Sequence, residues 1–224
     1  MSHWITLVSA HGPMNGWCAE PDDKPVGGIV LAHEIFGVNA DMRGLAERYA
    51  AEGYLTVVPA LFDQIEREVE LDDYTPDDYL HGNELASKLG VGAAADLIAT
   101  AADVIGHAGE IAIVGYGWGG AVALAAARTL SRPCVMYYST PRSALPQNEP
   151  VPVLVHYGKL DPQYPYWRAV LPDNGTASVQ VRIYQAGDGF DRKGDCLHYH
   201  EESASQAFGH TVDFLGRHLR TQDN

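Results

Sequence analysis

Short apolar runs rich in β-branched residues alternate along this chain with segments whose apolar residues recur every three or four positions. That alternation constrains the fold more than any other feature. Residues 28–32, 55–58, 111–114, 134–138, 151–155 and 179–184 are runs of the first kind. Several lack the polar–apolar alternation of a half-exposed strand, so they read as strands buried on both faces. Met42, Leu45, Ala46, Tyr49 and Ala50 have helical spacing, as do Leu97, Ile98, Ala101 and Ile105. Residues 121–130 form an almost wholly apolar helix, and Ala204, Ala207, Phe208, Thr211, Leu215 and Leu219 give the last helix its apolar face. Gly53 closes the first of these helices as the residue just past its end. The pattern predicts an α/β domain, with a mostly parallel central sheet and helices on both faces. Residues 5–8 and 16–18, separated by His11-Gly12-Pro13, read as an opening hairpin.

The length of 224 residues suits one such domain spanning 1–224. The net charge is −14. A nucleic-acid binder needs a basic face to replace phosphate counterions, and this chain offers none; the same deficit argues against docking on anionic lipid. The longest weakly polar run, residues 91–105, is interrupted by Asp96 and Asp103, so no membrane span is expected. Cys18, Cys134 and Cys196 share no paired spacing, which points away from a disulfide framework or a zinc site. Cys18 and Cys134 sit in apolar surroundings and read as buried small hydrophobes. Met1-Ser2-His3-Trp4 lacks the basic start of a secretory leader, and a reduced, cytoplasmic setting is the expectation. Residues 63–78 hold eight acidic residues and one arginine. They read either as a solvated face or as a flap over a site.

In an open α/β sheet, ligands bind beyond the carboxyl ends of the strands. His33 and Glu34 follow the first parallel strand. Gly115-Tyr116-Gly117-Trp118-Gly119-Gly120 follows the third and runs straight into the apolar helix. Asp161 follows the strand at 151–155, and Asp188 and Arg192 follow the last one. Small residues two before and two after a central position mark a nucleophile elbow, whose turn leaves no room for side chains at those points. Elbow, then acid, then a third group before the final helix is the α/β-hydrolase order.

With these residues in place, the chain resembles the dienelactone hydrolase (carboxymethylenebutenolidase-like) family of α/β-hydrolases from about residue 5 to 220. The resemblance rests on His33-Glu34-Ile35-Phe36-Gly37-Val38-Asn39, the elbow, His156-Tyr157-Gly158-Lys159-Leu160-Asp161 and Thr211-Val212-Asp213-Phe214-Leu215. It implies a hydrolase of lactones or carboxylic esters with no cofactor and no metal. It implies a cysteine at position 117, a histidine at 188, the acid at Asp161 and, at Glu34, a glutamate that pairs with the resting cysteine. Arg192 matches an arginine that holds the substrate carboxylate, and the backbone N–H groups of Ile35 and Trp118 match oxyanion donors.

The chain departs from that pattern at two positions: Gly117 stands at the nucleophile position and Asp188 at the histidine position. Glycine has no side chain with which to form an acyl-enzyme. An aspartate shuttles protons near neutral pH only if its pKa is strongly raised. The expectation is a protein impaired in covalent ester hydrolysis that keeps a pocket for a small carboxylate- or lactone-bearing ligand. The alternative is an enzyme of altered mechanism using Glu34, Asp161 or Asp188 as general acid or base. Glu34, Asp161 and Asp188 are expected to converge in an acidic pocket, with Asp188 turned outward or capping a backbone N–H. Ser139 and Thr140 are expected on the same rim, with Cys196, His198 and His200 just beyond the Asp188 loop, and all read as ordinary loop or helix-start residues. His33 is placed at the pocket's flank, and His156 reads as a packed core histidine.

Overall fold

The computed structural model describes residues 1–139, 149–170, 176 and 178–219. Eight strands form one sheet: β1 (Ser2–Ser9), β2 (Gly12–Ala19), β3 (Gly28–Ala32), β4 (Leu55–Pro59), β5 (Ile111–Tyr116), β6 (Cys134–Tyr137), β7 (Val153–Gly158) and β8 (Val179–Tyr184). Their order across the sheet is β1-β2-β4-β3-β5-β6-β7-β8. The hairpin β1–β2 and the pair β2–β4 are antiparallel, and every other pairing is parallel. β3, β4, β5, β6 and β7 are buried without interruption, as expected of strands covered on both sides.

Five helices provide the cover: α1 (Ala40–Ala51), α2 (Pro76–Val104), α3 (Trp118–Leu130), α4 (Tyr164–Val170) and α5 (Glu201–Leu219). Successive strand residues point to opposite faces, and the core divides accordingly. Val30, Val57, Ile113 and Met136 pack with residues of α2 and α3. Ile29, Leu31, Val58, Val114 and Val135 pack with α1 and α5. The expected α/β architecture is present. The short α4 lacks a clear period in the sequence; Trp167 anchors it, stacking 4.6 Å from Tyr157.

α2 begins about four turns before the run expected at residues 91–105. Thr75 accepts from the Asp78 N–H, the Asp78 side chain accepts from the Thr75 N–H, and Pro76 takes the first helical position. That is a capping box, sufficient to start a helix inside the acidic segment. Gly90, at φ 72° and ψ 156°, then breaks the helix into two stretches. By length and composition α2 could cross a membrane. Here its apolar residues Ala94, Leu97, Ile98 and Ala101 are buried in the core against the sheet, which accounts for that composition.

Residues 63–74 are pinned to the body rather than hung over it. Asp63 is buried and accepts from the Asn15 and Glu68 N–H groups. The Leu71 N–H donates to the Phe36 carbonyl at 3.0 Å, and Asn39 donates to the Leu71 carbonyl. Asp72 accepts from the Ala40 N–H, and Arg43 pairs with Glu70. These contacts make residues 63–74 an acidic strap against the loop after β3.

On the α5 side, a thread of hydrogen bonds crosses the core. The Tyr137 hydroxyl meets Thr211 Oγ1 at 2.7 Å, and Thr211 Oγ1 meets His156 Nε2 at 2.9 Å. His156 Nδ1 meets the Tyr184 hydroxyl, which reaches His210. His156 is the packed core histidine that its place in the sequence suggests, and burial holds its pKa well down.

Candidate functional site

The site forms where the loops after β3, β5, β6 and β8 meet. His33 leaves β3 fully buried. The Leu61 N–H donates to His33 Nε2 at 3.1 Å, so the ring proton is on Nδ1, which donates to the Glu34 carbonyl. Burial lowers the pKa of His33 to about 4. His33 is thus a neutral clamp between the β3 loop and the short 3-10 turn at Leu61–Gln64, not a base facing the pocket.

That clamp aims Glu34 across the sheet. Arg192 grips Glu34 by a fork: Nε lies 3.0 Å from both carboxylate oxygens and Nη2 lies 2.6 Å from Oε2. The Tyr138 hydroxyl donates to Oε1 at 3.0 Å. Burial pushes the Glu34 carboxyl upward, against the guanidinium and the phenol. Burial alone would lower Arg192, but the facing carboxylate carries it well above its ordinary range. Tyr138 occupies its position at φ 35°, a left-handed conformation that costs a non-glycine residue about 1–3 kcal/mol. Its strained backbone directs the hydroxyl at Glu34.

Gly117 opens α3 at φ 51° and ψ −122°, the elbow conformation, which glycine adopts without a Cβ penalty. The flanking glycines have the close contacts the motif requires. A Cβ on Gly115 would lie 2.2 Å from the Gly119 carbonyl oxygen, and one on Gly119 would lie 2.2 Å from that of Ala32. A Cβ on Gly117 would meet Glu34 Oε2 at 2.7 Å. The Glu34 carboxylate that occupies this point is itself held by Arg192. Trp118, the first helical residue, stacks on Phe62 at 5.5 Å, and Gly82 of α2 presses on the Ile35 carbonyl.

Two expectations change. Glu34, Asp161 and Asp188 do not form a bare acidic pocket. Arg192 stands between Glu34 and Asp188, 3.3 Å from Asp188 Oδ2, and Asp161 accepts from the Gln163 N–H at 2.7 Å. Asp188 thus reaches the guanidinium at the edge of the site while its side chain stays 41% exposed to solvent. Arg192 is not an open anion receptor: it is buried and engaged by Glu34, with Nη1 donating to the Tyr79 hydroxyl at 3.0 Å. Among the described residues, no group of three or more His, Cys, Asp and Glu is placed to hold a metal ion.

Of the rim residues, the two histidines are otherwise occupied. His198 pairs with Asp195 at 2.7 Å, and His200 bonds Ser203 at the start of α5. Cys196 is exposed, Ser139 is buried with no partner for its hydroxyl, and Thr140 lies outside the described residues. Tyr138, Tyr79 and Asp195 belong to the site, though no motif singles them out. The i, i+3 spacing of Asp195 and His198 was the one usable signal for that pair.

A sequence profile described as the dienelactone hydrolase family matches residues 14–219. The chain belongs to the dienelactone hydrolase family. Among its relatives is the carboxymethylenebutenolidase of Pseudomonas putida, 32% identical over 96% of this chain and 96% of that protein. The Pseudomonas knackmussii carboxymethylenebutenolidase matches equally, at 32% over the same shares. The crystal structure of a dienelactone hydrolase from Anabaena variabilis superposes with a TM-score of 0.72 at 15% identity, covering 98% of this chain and 99% of that one. The sheet and helices described above are therefore the family's α/β-hydrolase fold, with Gly117 at the turn from β5 into α3.

Proposed function

We propose that this dienelactone hydrolase family member is a pocket-binding pseudoenzyme, which takes a small carboxylate- or lactone-bearing ligand without hydrolysing it by the covalent route. The observation that carries this reading is at the elbow. Residue 117 has no side chain, and Glu34, locked to Arg192, occupies the space a nucleophile would use. With no attacking atom, an acyl-enzyme does not form. What remains is recognition. The Trp118 N–H is among the unpaired donors at the start of α3 and, with the Ile35 N–H, is assigned to the ligand's carbonyl oxygen. Arg192 is assigned to the ligand's carboxylate, which would exchange with Glu34 on the guanidinium.

The test is hydrolysis of a dienelactone and of an activated aryl ester by the natural protein, beside the Gly117→Cys/Asp188→His double variant. A silent natural protein and an active variant support the reading. Turnover by the natural protein well above buffer overturns it.

One observation favours a second reading. Burial pushes the Asp188 carboxyl upward against the neighbouring Arg192, the direction that favours a general acid or base. If Asp188 is a general acid or base, Asp188→Asn abolishes turnover and changes its pH profile. The pseudoenzyme reading has no turnover to lose.

A further inference from the structure

We propose that His198, backed by Asp195, is the proton acceptor of the elbow, so that this chain lacks the nucleophile of an esterase but not its base. Asp188 stands where the resemblance implies a histidine. The structure supplies an imidazole from the turn that leads into α5. The inference takes from the pseudoenzyme reading only that residue 117 offers no attacking atom.

Arg192, Asp195 and His198 recur every three residues, and the backbone between them is wound into turns. The Asp195 N–H donates to the Arg192 carbonyl at 3.1 Å, and the His198 N–H donates to the Asp195 carbonyl at 3.1 Å. The carboxylate therefore sits between the two cationic side chains. One oxygen joins them: Asp195 Oδ2 lies 2.7 Å from His198 Nδ1 and 3.8 Å from Arg192 Nη1. The other oxygen, Oδ1, accepts from the Leu197 N–H at 3.3 Å. Asp195 is buried, so this carboxylate is fixed on both sides. The guanidinium beyond it is the one that forks Glu34 at the elbow. His198 also lies close enough to Asp188 for its charge to draw that carboxyl down. The imidazole thus stands on the rim of the elbow, on the Asp188 side.

The contact with Asp195 uses only one ring nitrogen. A carboxylate accepts and does not donate, so Nδ1 carries the proton and Nε2 presents a lone pair. The His198 side chain is 42% exposed, and its Nε2 has no hydrogen bond to another described residue. A fixed carboxylate behind a histidine holds one tautomer and stabilises the imidazolium that forms when the ring takes a proton. The other two histidines near the elbow lack this arrangement. His200 Nδ1 meets a serine hydroxyl, and both nitrogens of His33 are engaged.

With a thiol introduced at position 117 the steps balance. The thiol proton passes through one water to His198 Nε2, and the sulfur bonds to the ester carbonyl carbon. The C–O bond to the alcohol then breaks as the leaving oxygen takes that proton. A second water gives a proton to Nε2 and attacks the thioester, the C–S bond breaks, and the sulfur recovers the proton.

The test makes Gly117→Cys alone, with Asp188 left in place, and follows hydrolysis of para-nitrophenyl acetate. The expected gain over the natural protein is about 100-fold or more. His198→Ala in that background loses at least about tenfold of it. Imidazole added to the solution restores part of the loss, measured against the natural protein in the same imidazole; a merely structural histidine gives no such rescue. Asp195 is a positioning residue, and imidazole-nitrogen NMR of the natural protein reads its effect. The expected spectrum has the His198 proton on Nδ1 and a bare Nε2, and Asp195→Asn spreads the proton over both nitrogens. That measurement holds whether or not Gly117→Cys folds. A proton resident on Nε2, a loss under tenfold with His198→Ala, or no rescue by imidazole overturns the proposal. So does a Gly117→Cys protein that stays silent until Asp188→His is added, an outcome that leaves the pseudoenzyme reading standing. Turnover by the natural protein overturns that reading instead, and the His198→Ala comparison still decides this one.

Discussion

Glu34 Oε2 lies 2.7 Å from the point that a Cβ on Gly117 would occupy. The two residues compete for one volume, and in this chain the carboxylate has it. A Gly117→Ala variant has to push Glu34 off its Arg192 fork and hold alanine at φ 51° and ψ −122°. The expected loss is about 1–3 kcal/mol for the backbone strain alone, read from urea unfolding. An unchanged midpoint would show that Glu34 steps aside freely.

The Glu34–Arg192 pair is buried on both sides. Removing one partner leaves the other charge uncompensated, so Glu34→Gln and Arg192→Met each cost about 3–5 kcal/mol. The double variant loses less than the sum, because the second substitution removes the stranded charge. Strict additivity would mean that the pair is not coupled.

His33 gives the acid limb of the stability curve a definite sign. Its folded pKa is about 4, against an ordinary 6.5. Between those values the unfolded chain binds the proton and the folded one does not. Stability therefore falls as pH drops from about 6.5 toward 4, by up to about 3 kcal/mol. His33→Gln flattens that limb whatever its effect at neutral pH, and an unaltered slope would remove His33 as the cause.

Asp191 works in the opposite direction. Burial pushes its carboxyl to about 8 from 3.8, with Arg48 opposing and Glu34 and Asp41 reinforcing the rise. The folded protein keeps this proton where the unfolded chain has lost it, so stability falls as pH rises from about 4 to 8. Asp191→Asn has no proton to lose. Its advantage over the natural protein grows with pH by on the order of 1.4 kcal/mol per unit in that window. A gap that stays constant with pH would contradict the burial of this carboxyl.

The acidic strap at residues 63–74 is expected to resist exchange despite its charge. The amides of Leu71 and Ala40, bonded to Phe36 and Asp72, exchange more slowly than those of the unbonded turn at Asp22 and Asp23. Equal, rapid exchange at these positions would favour a mobile flap.

Much of this was legible before the structure. Strands with several consecutive apolar residues, such as Ile29-Val30-Leu31, can only be satisfied between two helical layers, and the glycines around residue 117 encode a turn with no space for side chains. Asp63 shows where reading by charge fails: its two backbone donors come from Asn15 and Glu68, and nothing in a run of carboxylates marks the one that is buried. Thr75-Pro76 was a start signal overshadowed by the same run of charge. The occupation of Arg192 by Glu34 was out of reach, because no local pattern links two such distant side chains. Tyr138 was missed because a positive φ on a tyrosine is imposed by tertiary packing rather than by its own preference.

The fork between Glu34 and Arg192 joins positions 158 residues apart in the chain. A contact of that span closes only after most of the chain has been organised, since closing so large a loop early carries an entropic cost with little in return. Its contribution then belongs to the last stage of folding. Substitutions at Glu34 and Arg192 are expected to leave the folding rate nearly unchanged and to hasten unfolding, so the pair that fills the elbow also acts as the latch on the lifetime of the native state.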